Sequence, residues 1–253
     1  MNKNFEWCGY HWKCSMEGDR IIHPSYPWMW YDNTQVMRIP DNGIELHITP
    51  DKGKTIKYWD GKIYNPTIAC GLIRTEEEFG YGTFSIELQL PKGKNLWPSF
   101  WLTGSENWPP EIDIMEAWQD NKGSYFRWTI PQFPYINPSW RTTTNVHYKD
   151  TDMKNTNISS KNVSVFKQCK DPSEHFLEYK VVWLPNSITF YIDDTKVREV
   201  TGKVCEYLVS NLNHPDKSWK MNVVLNVFCE NPDEYDIDMK VPMLIKDFKY
   251  EAL

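Results

Sequence analysis

No stretch of this 253-residue chain reaches the roughly 18 consecutive apolar residues that a membrane-spanning helix requires, so no membrane partner is expected. The N-terminus, Met1-Asn2-Lys3-Asn4-Phe5-Glu6-Trp7-Cys8, lacks an apolar h-region, and no secretory signal is legible there. An excess of basic residues is also missing. Lys and Arg number 28 against 34 Asp and Glu, a net charge of −6 with no basic block. Binding to a phosphate backbone is driven by clustered Lys and Arg, so nucleic acid is not an expected partner. The six cysteines (8, 14, 70, 169, 205 and 229) lack an accompanying His cluster, and Cys8 and Cys14 are spaced more widely than short zinc pairs. A structural zinc site is therefore not expected; free buried thiols are the default, with a Cys8–Cys14 loop as the alternative. Asn157-Ile-Ser159 and Asn162-Val-Ser164 match the glycosylation pattern, which carries little weight without a secretory signal. Internal repeats and low-complexity linkers are absent, so residues 1–253 read as one domain, expected to be a monomer. A chain of this length can bury roughly 70–75% of its unfolded surface, enough to fold without disulfide or metal.

What the chain has in quantity is aromatic residues and proline. Trp 13, Tyr 14 and Phe 11 make up 15% of the residues. Trp is rarely fully buried and its indole N–H needs a partner. The rings therefore serve either a β-rich core or an exposed groove that stacks on flat faces such as those of sugars. The 17 prolines interrupt almost every long helical pattern. Between them lie short runs rich in Val, Ile, Tyr, Phe, Trp and Thr, among them Thr67–Arg74, Tyr81–Leu90, Ser99–Thr103, Glu111–Trp118, Asn145–Tyr148, Phe176–Leu184 and Met221–Phe228. Many short strands separated by turn residues predict a sandwich or barrel. In Phe84–Leu90, Phe84, Ile86, Leu88 and Leu90 share one face and Ser85, Glu87 and Gln89 the other. Ile188–Val197 reads as a hairpin turning at Asp193-Asp194. Residues 149–175 are a polar surface excursion. The aromatic loop Gly123–Arg141 is either a groove wall or a small core of its own.

Trp108-Pro-Pro-Glu-Ile-Asp-Ile-Met-Glu-Ala-Trp118 is the segment that carries chemistry. Glu111 and Asp113 are two apart and share a strand face, with Ile112 and Ile114 on the other. Glu116, five residues from Glu111, would fall on the Ile face of a regular strand. One bulge residue, Ile114 or Met115, restores it to the acidic face. Two carboxyls leaning together could then reach the about 5–5.5 Å separation of retaining glycosidases, where one attacks and the other protonates the leaving oxygen. A bare E-x-D-x-x-E arises by chance about 0.05 times in such a chain, and the apolar residues at 112, 114 and 115 lower that to about 0.002. The ordinary alternative is a solvated acidic strand edge.

Glu111-Ile-Asp-Ile-Met-Glu116 resembles the active-site signature of glycoside hydrolase family 16 in its bulge-containing form. The resemblance extends through Cys70-Gly-Leu-Ile-Arg-Thr-Glu-Glu-Glu-Phe-Gly-Tyr-Gly-Thr-Phe84 and Leu90-Pro-Lys-Gly-Lys-Asn-Leu-Trp-Pro-Ser-Phe-Trp-Leu102. It is closest over residues 40–120, looser over 140–253, and weakest over 1–39, where Trp7, Trp12, Trp28 and Trp30 do not follow the family pattern and an extra groove wall is the expectation. Pro110 stands where the family often has Gly, and Ala117 precedes Trp118 where an aromatic usually follows the second Glu.

The resemblance implies an all-β, concanavalin A-like jelly-roll sandwich with a concave glycan-binding groove, a polysaccharide or glycan partner, and an extracellular or cell-surface location. It implies an endo-acting retaining hydrolase of β-1,3 or β-1,3-1,4 glucan. A β-galactan, agar-like polymer or O-glycan as substrate, a non-catalytic glycan-binding module, and transglycosylation all stay open. Glu111 would be the nucleophile, Glu116 the acid/base, and Asp113 the residue that tunes Glu111. A nucleophile must be ionised while the acid keeps its proton, so the two pKa values should be pushed apart, with the charge on Glu111 raising Glu116. Substrate contacts would come from Trp97, Trp101, Arg74, His147, Trp118 and Asn226. Core packing competes for Trp101, a salt bridge for Arg74 and a structural role for His147. No cofactor is required by this reading. Some relatives hold a structural calcium near the position of Asp247, although one carboxylate cannot define a six-to-eight-oxygen site.

Overall fold

The computed structural model describes residues 1–51, 53–58, 61–93, 95–104, 108–119, 140–150, 155–159, 171–212, 220–230 and 241–253. Two large antiparallel sheets dominate. The first runs, edge to edge, β1 (Asn4–Trp7), β2 (Tyr10–Lys13), β10 (Leu72–Thr75), β19 (Asn222–Cys229), β12 (Leu96–Thr103), β13 (Glu111–Gln119), β14 (Trp140–Lys149) and β15 (Asn155–Ser159). The second runs β18 (Thr195–Thr201), β17 (Ser187–Ile192), β16 (Leu177–Leu184), β11 (Gly82–Gln89), β20 (Met243–Ala252), β5 (Gly43–Leu46) and β4 (Val36–Ile39). Two small sheets complete the set: β3 (Met29–Tyr31), β9 (Ile68–Cys70) and β6 (Ile48–Pro50), and the hairpin of β7 (Ile56–Lys57) with β8 (Ile63–Tyr64). Among the described residues no helix is long and apolar enough to cross a membrane.

Alternation of apolar and polar residues builds the sandwich. In β11 and β16 every second residue is buried. Phe248 of β20 sits edge-on to Trp12 of the first sheet at 5.6 Å and to Phe100 at 6.5 Å, so the two sheets interlock through rings. Each such burial contributes about 2–3 kcal/mol. The hairpin of β17 and β18 turns at Asp193, whose φ of 49° is the left-handed value that Asp tolerates better than most residues.

Two features differ from the sequence reading. Thr67–Arg74 is split into β9 and β10 by Gly71, where an added Cβ would lie 2.7 Å from the Gln35 carbonyl oxygen. A helix, Lys203–Leu212, packs against β14 and β18. Its buried Cys205 and Leu208 are three residues apart on one face, and Tyr207 stacks on Tyr148. The thiols of Cys8 and Cys14 are both free, the default of the sequence reading, and the alternative Cys8–Cys14 loop does not form. Cys8 Sγ instead donates to Asp247 Oδ1 at 3.3 Å, and Cys14 Sγ donates to the Asn2 carbonyl at 3.8 Å.

Candidate active site

The acidic strand is bulged. Against β12, Trp101 opposes Asp113 and the next partner, Phe100, opposes Met115, so Ile114 is skipped. Against β14, Asp113 opposes Asn145 and Glu116 opposes Thr143. Ile114 and Met115 are both buried in the core, which the two apolar side chains favour over an open face. The extra residue brings Glu116 onto the face of Glu111 and Asp113.

Directly opposed residues share a face, so the register carries this face across the sheet. One row holds His147, Glu111, Thr103 and Asn222; the next holds Asn145, Asp113, Trp101, Val224 and Arg74; the third holds Thr143, Glu116, Ser99, Asn226 and Leu72. The catalytic and substrate-contact candidates drawn from the sequence therefore meet on one surface, although their engagement differs.

Trp97 donates its indole N–H to Glu116 Oε1 at 3.0 Å and stacks on Trp118 with ring centres 5.8 Å apart. His147 Nε2 lies 3.1 Å from Asp113 Oδ2, 3.4 Å from Glu111 Oε1 and 3.2 Å from Asn145 Nδ2. It thus sits across from both carboxylates. Trp101 is half-buried and donates to Asn226 Oδ1 at 2.7 Å, while Asn226 itself is 0% exposed and acts through that indole. Arg74 is on the same face but is 6% exposed, with its Nη1 2.7 Å from Glu17 Oε2 and 2.9 Å from Asn222 Oδ1. Its guanidinium is closed by protein groups. The side chains of the aromatic segment 123–141 lie outside the described residues.

Two residues near the acids are ones the sequence reading did not single out for the site. Trp108 donates its indole N–H to Glu111 Oε2 at 3.2 Å. Tyr26, from the N-terminal segment, meets Trp97 edge-on at 5.5 Å and Trp28 edge-on at 5.7 Å. Burial, then the charges of Glu116 and Glu111, push the Tyr26 hydroxyl above its ordinary pKa, which ties it to the acids. The N-terminal segment thus supplies part of the wall beside Glu116. Its sequence signal was only a cluster of aromatics without a pattern.

Burial and like charge act on Glu111 itself, where the sequence reading weighed only the effect of its charge on Glu116. In the structure Glu111 is pushed well above its ordinary value, by burial first and then by the charges of Asp113 and Glu116, while the Trp108 indole pulls it back. Three carboxylates on one face cannot all ionise cheaply, so the cluster holds a proton more tightly than isolated acids would. A raised native pKa makes stability complete below the unfolded value of 4.5 and progressively lost as pH rises through the native value. Glu111→Gln should therefore raise the melting temperature at pH 7 by about 2–4 °C. The gain should vanish near pH 4, where both states carry the proton. Scanning calorimetry at the two pH values checks this, and an equal gain at both would contradict it.

Glu111, Asp113 and His147 bring ligand atoms within 4.8 Å of one another, the spacing of a metal site. Their mutual hydrogen-bond distances equally suit proton sharing, and two carboxylates in contact with an imidazole can move protons to and from a substrate oxygen. Asp247 lies on the other sheet. Its Oδ2 is 3.1 Å from Lys249 Nζ and its Oδ1 accepts from Cys8, so a calcium ion there would have to displace both contacts.

The bulged strand thus carries three acids on one face of an all-β jelly-roll sandwich, two of them held by indole donors. The model of the family "Glycosyl hydrolases family 16" matches residues 23–228, and the chain belongs to that family. The "Endo-1,3-1,4-beta-glycanase EglC" of Rhizobium meliloti (strain 1021) is 25% identical over 130 residues, 50% of this chain and 23% of that protein. The "Galactan endo-beta-1,3-galactanase" of Flammulina velutipes is 43% identical over 44 residues, 17% of each chain. The alignments thus span less than a quarter of the length of these two relatives. The crystal structure of LamAcat from Zobellia galactanivorans superposes with a TM-score of 0.64 at 16% identity, covering 95% of this chain and 90% of that one, which establishes a shared fold.

Proposed function

We propose that the protein is an endo-acting, retaining β-glycan hydrolase that cleaves β-1,3 or mixed β-1,3-1,4 glucan. The observation that carries this reading is the bulge that turns Glu116 to the face of Glu111, with each acid held by its own indole donor. In the first step the Glu111 carboxylate attacks the anomeric carbon. The bond to the leaving oxygen breaks, and that oxygen takes the proton of Glu116. In the second, Glu116 removes a proton from water, the water oxygen attacks the same carbon, and the bond to Glu111 breaks. Two inversions give net retention. His147 and Asp113 hold and share protons beside Glu111, and Trp97 orients Glu116. Trp101, Trp97 and Trp118 offer ring surface to sugar faces.

Family membership and the glucanase relative support this substrate class. The galactanase segment supports a second reading, in which the same acids cleave a β-galactan. Product analysis on laminarin, barley glucan and agarose separates them. Laminarin or barley glucan should give oligosaccharides whose new reducing ends first appear in the β form by proton NMR. Cleavage of galactans alone would reverse the substrate order, and α-configured first products would remove the mechanism. Binding without any new reducing end would favour a non-catalytic module.

A further inference from the structure

A single exposed apolar side chain is ordinary on a protein surface, so Trp108 stands out through its contacts together with its exposure. Trp108 is 51% exposed. It is nevertheless held in place. Its ring lies beside the His147 imidazole with centres 5.4 Å apart, its N–H is spent on Glu111 Oε2, and Pro109 and Pro110 that follow it are both buried. At the other end of the acidic row, Trp97 holds Glu116 and stacks on Trp118. An indole thus attends each end of the acid pair, and the one at Glu111 keeps an open surface.

We propose that Trp108 is both a positioning residue, whose indole N–H holds Glu111 as an anion aimed for attack, and a sugar platform, whose exposed surface receives the pyranose ring bound beside Glu111. The inference rests on the hydrolase reading given above. A hydrogen bond donated to a carboxylate stabilises the charged form, and such charge-assisted bonds are about twice as strong as neutral ones. The groups that face Glu111 are Asp113 and Glu116 on its own strand, His147 on β14 and, from the N-terminal segment, the Tyr26 hydroxyl. Against two like charges and burial, the indole is the donor that opposes protonation of Glu111. A flat, half-exposed ring also matches the apolar faces of a β-linked glucose unit.

Two substitutions divide the roles. Trp108→Phe keeps a ring over His147 and removes the N–H; Trp108→Ala removes both. For Trp108→Phe, the Glu111 carboxyl, followed by carbon-13 NMR without any substrate, should titrate at higher pH than in the unaltered protein. Its kcat/KM on barley glucan should fall about tenfold, mainly in kcat, with the acid limb of the profile moved to higher pH. Trp108→Ala should in addition raise KM about tenfold. An unchanged NMR titration in Trp108→Phe overturns the positioning role, and an unchanged KM in Trp108→Ala overturns the platform. Failure of the unaltered protein to release reducing ends from any glycan sinks the hydrolase reading instead, and the NMR titration still decides the indole's hold on Glu111.

Discussion

Glu111→Ala should reduce glycan hydrolysis about a thousandfold or more, because, of the other two acids on the face, Asp113 is buried and Glu116 is needed as the proton donor. The protein should fold normally. The native structure works against the Glu111 charge through burial and through Asp113 and Glu116, so its removal relieves a cost. Unchanged far-ultraviolet circular dichroism together with a melting temperature no lower than the starting value would verify that. Azide offers a further test. A small anion can enter the space left by the carboxylate and attack the anomeric carbon once. The product should then be an α-glycosyl azide from an activated β-glycoside, a single inversion. Full retained activity in Glu111→Ala would move the nucleophile to another residue.

The second large effect belongs to Glu116. Glu116→Gln keeps the shape and the contact with the Trp97 indole but supplies no proton. Hydrolysis of barley glucan should fall about 10²–10⁴-fold, the usual range for a lost general acid. A dinitrophenyl β-glycoside, whose leaving oxygen needs no protonation, should suffer far less in the first step, so an initial burst of dinitrophenol should survive. Equal losses on both substrates would deny Glu116 its role as proton donor. The basic limb of the pH profile should also disappear, since no group then has to retain a proton.

These expectations draw on parts of the molecule that differed in how plainly they could be read. The alternation of Phe84, Ile86, Leu88 and Leu90 is repeated in the burial of β11, because a half-buried strand imposes a period of two on its own sequence. The bulge was legible because Glu-x-Asp-x-x-Glu with apolar Ile114 and Met115 has one arrangement that keeps acids and hydrocarbon apart. The helix Lys203–Leu212 was less legible: ten residues with a partial apolar stripe compete poorly with the surrounding strand signals. The direction of the Glu111 shift could not be read at all, since it depends on how deeply each acid is buried and on which donor reaches it.

By itself the sequence determined an all-β chain, one acidic strand with a kink, and a family signature around it, since periodicity, turn residues and residue spacing are local properties. Tertiary structure alone decided that Arg74 is tied to Glu17 and Asn222, that Tyr26 comes from the N-terminal segment to stand beside Trp97, and that Trp108 rather than a more distant aromatic reaches Glu111. Each is a contact set by strand order and sheet register, and a linear chain does not display which of its thirteen indoles will lie within hydrogen-bonding distance of a given carboxylate.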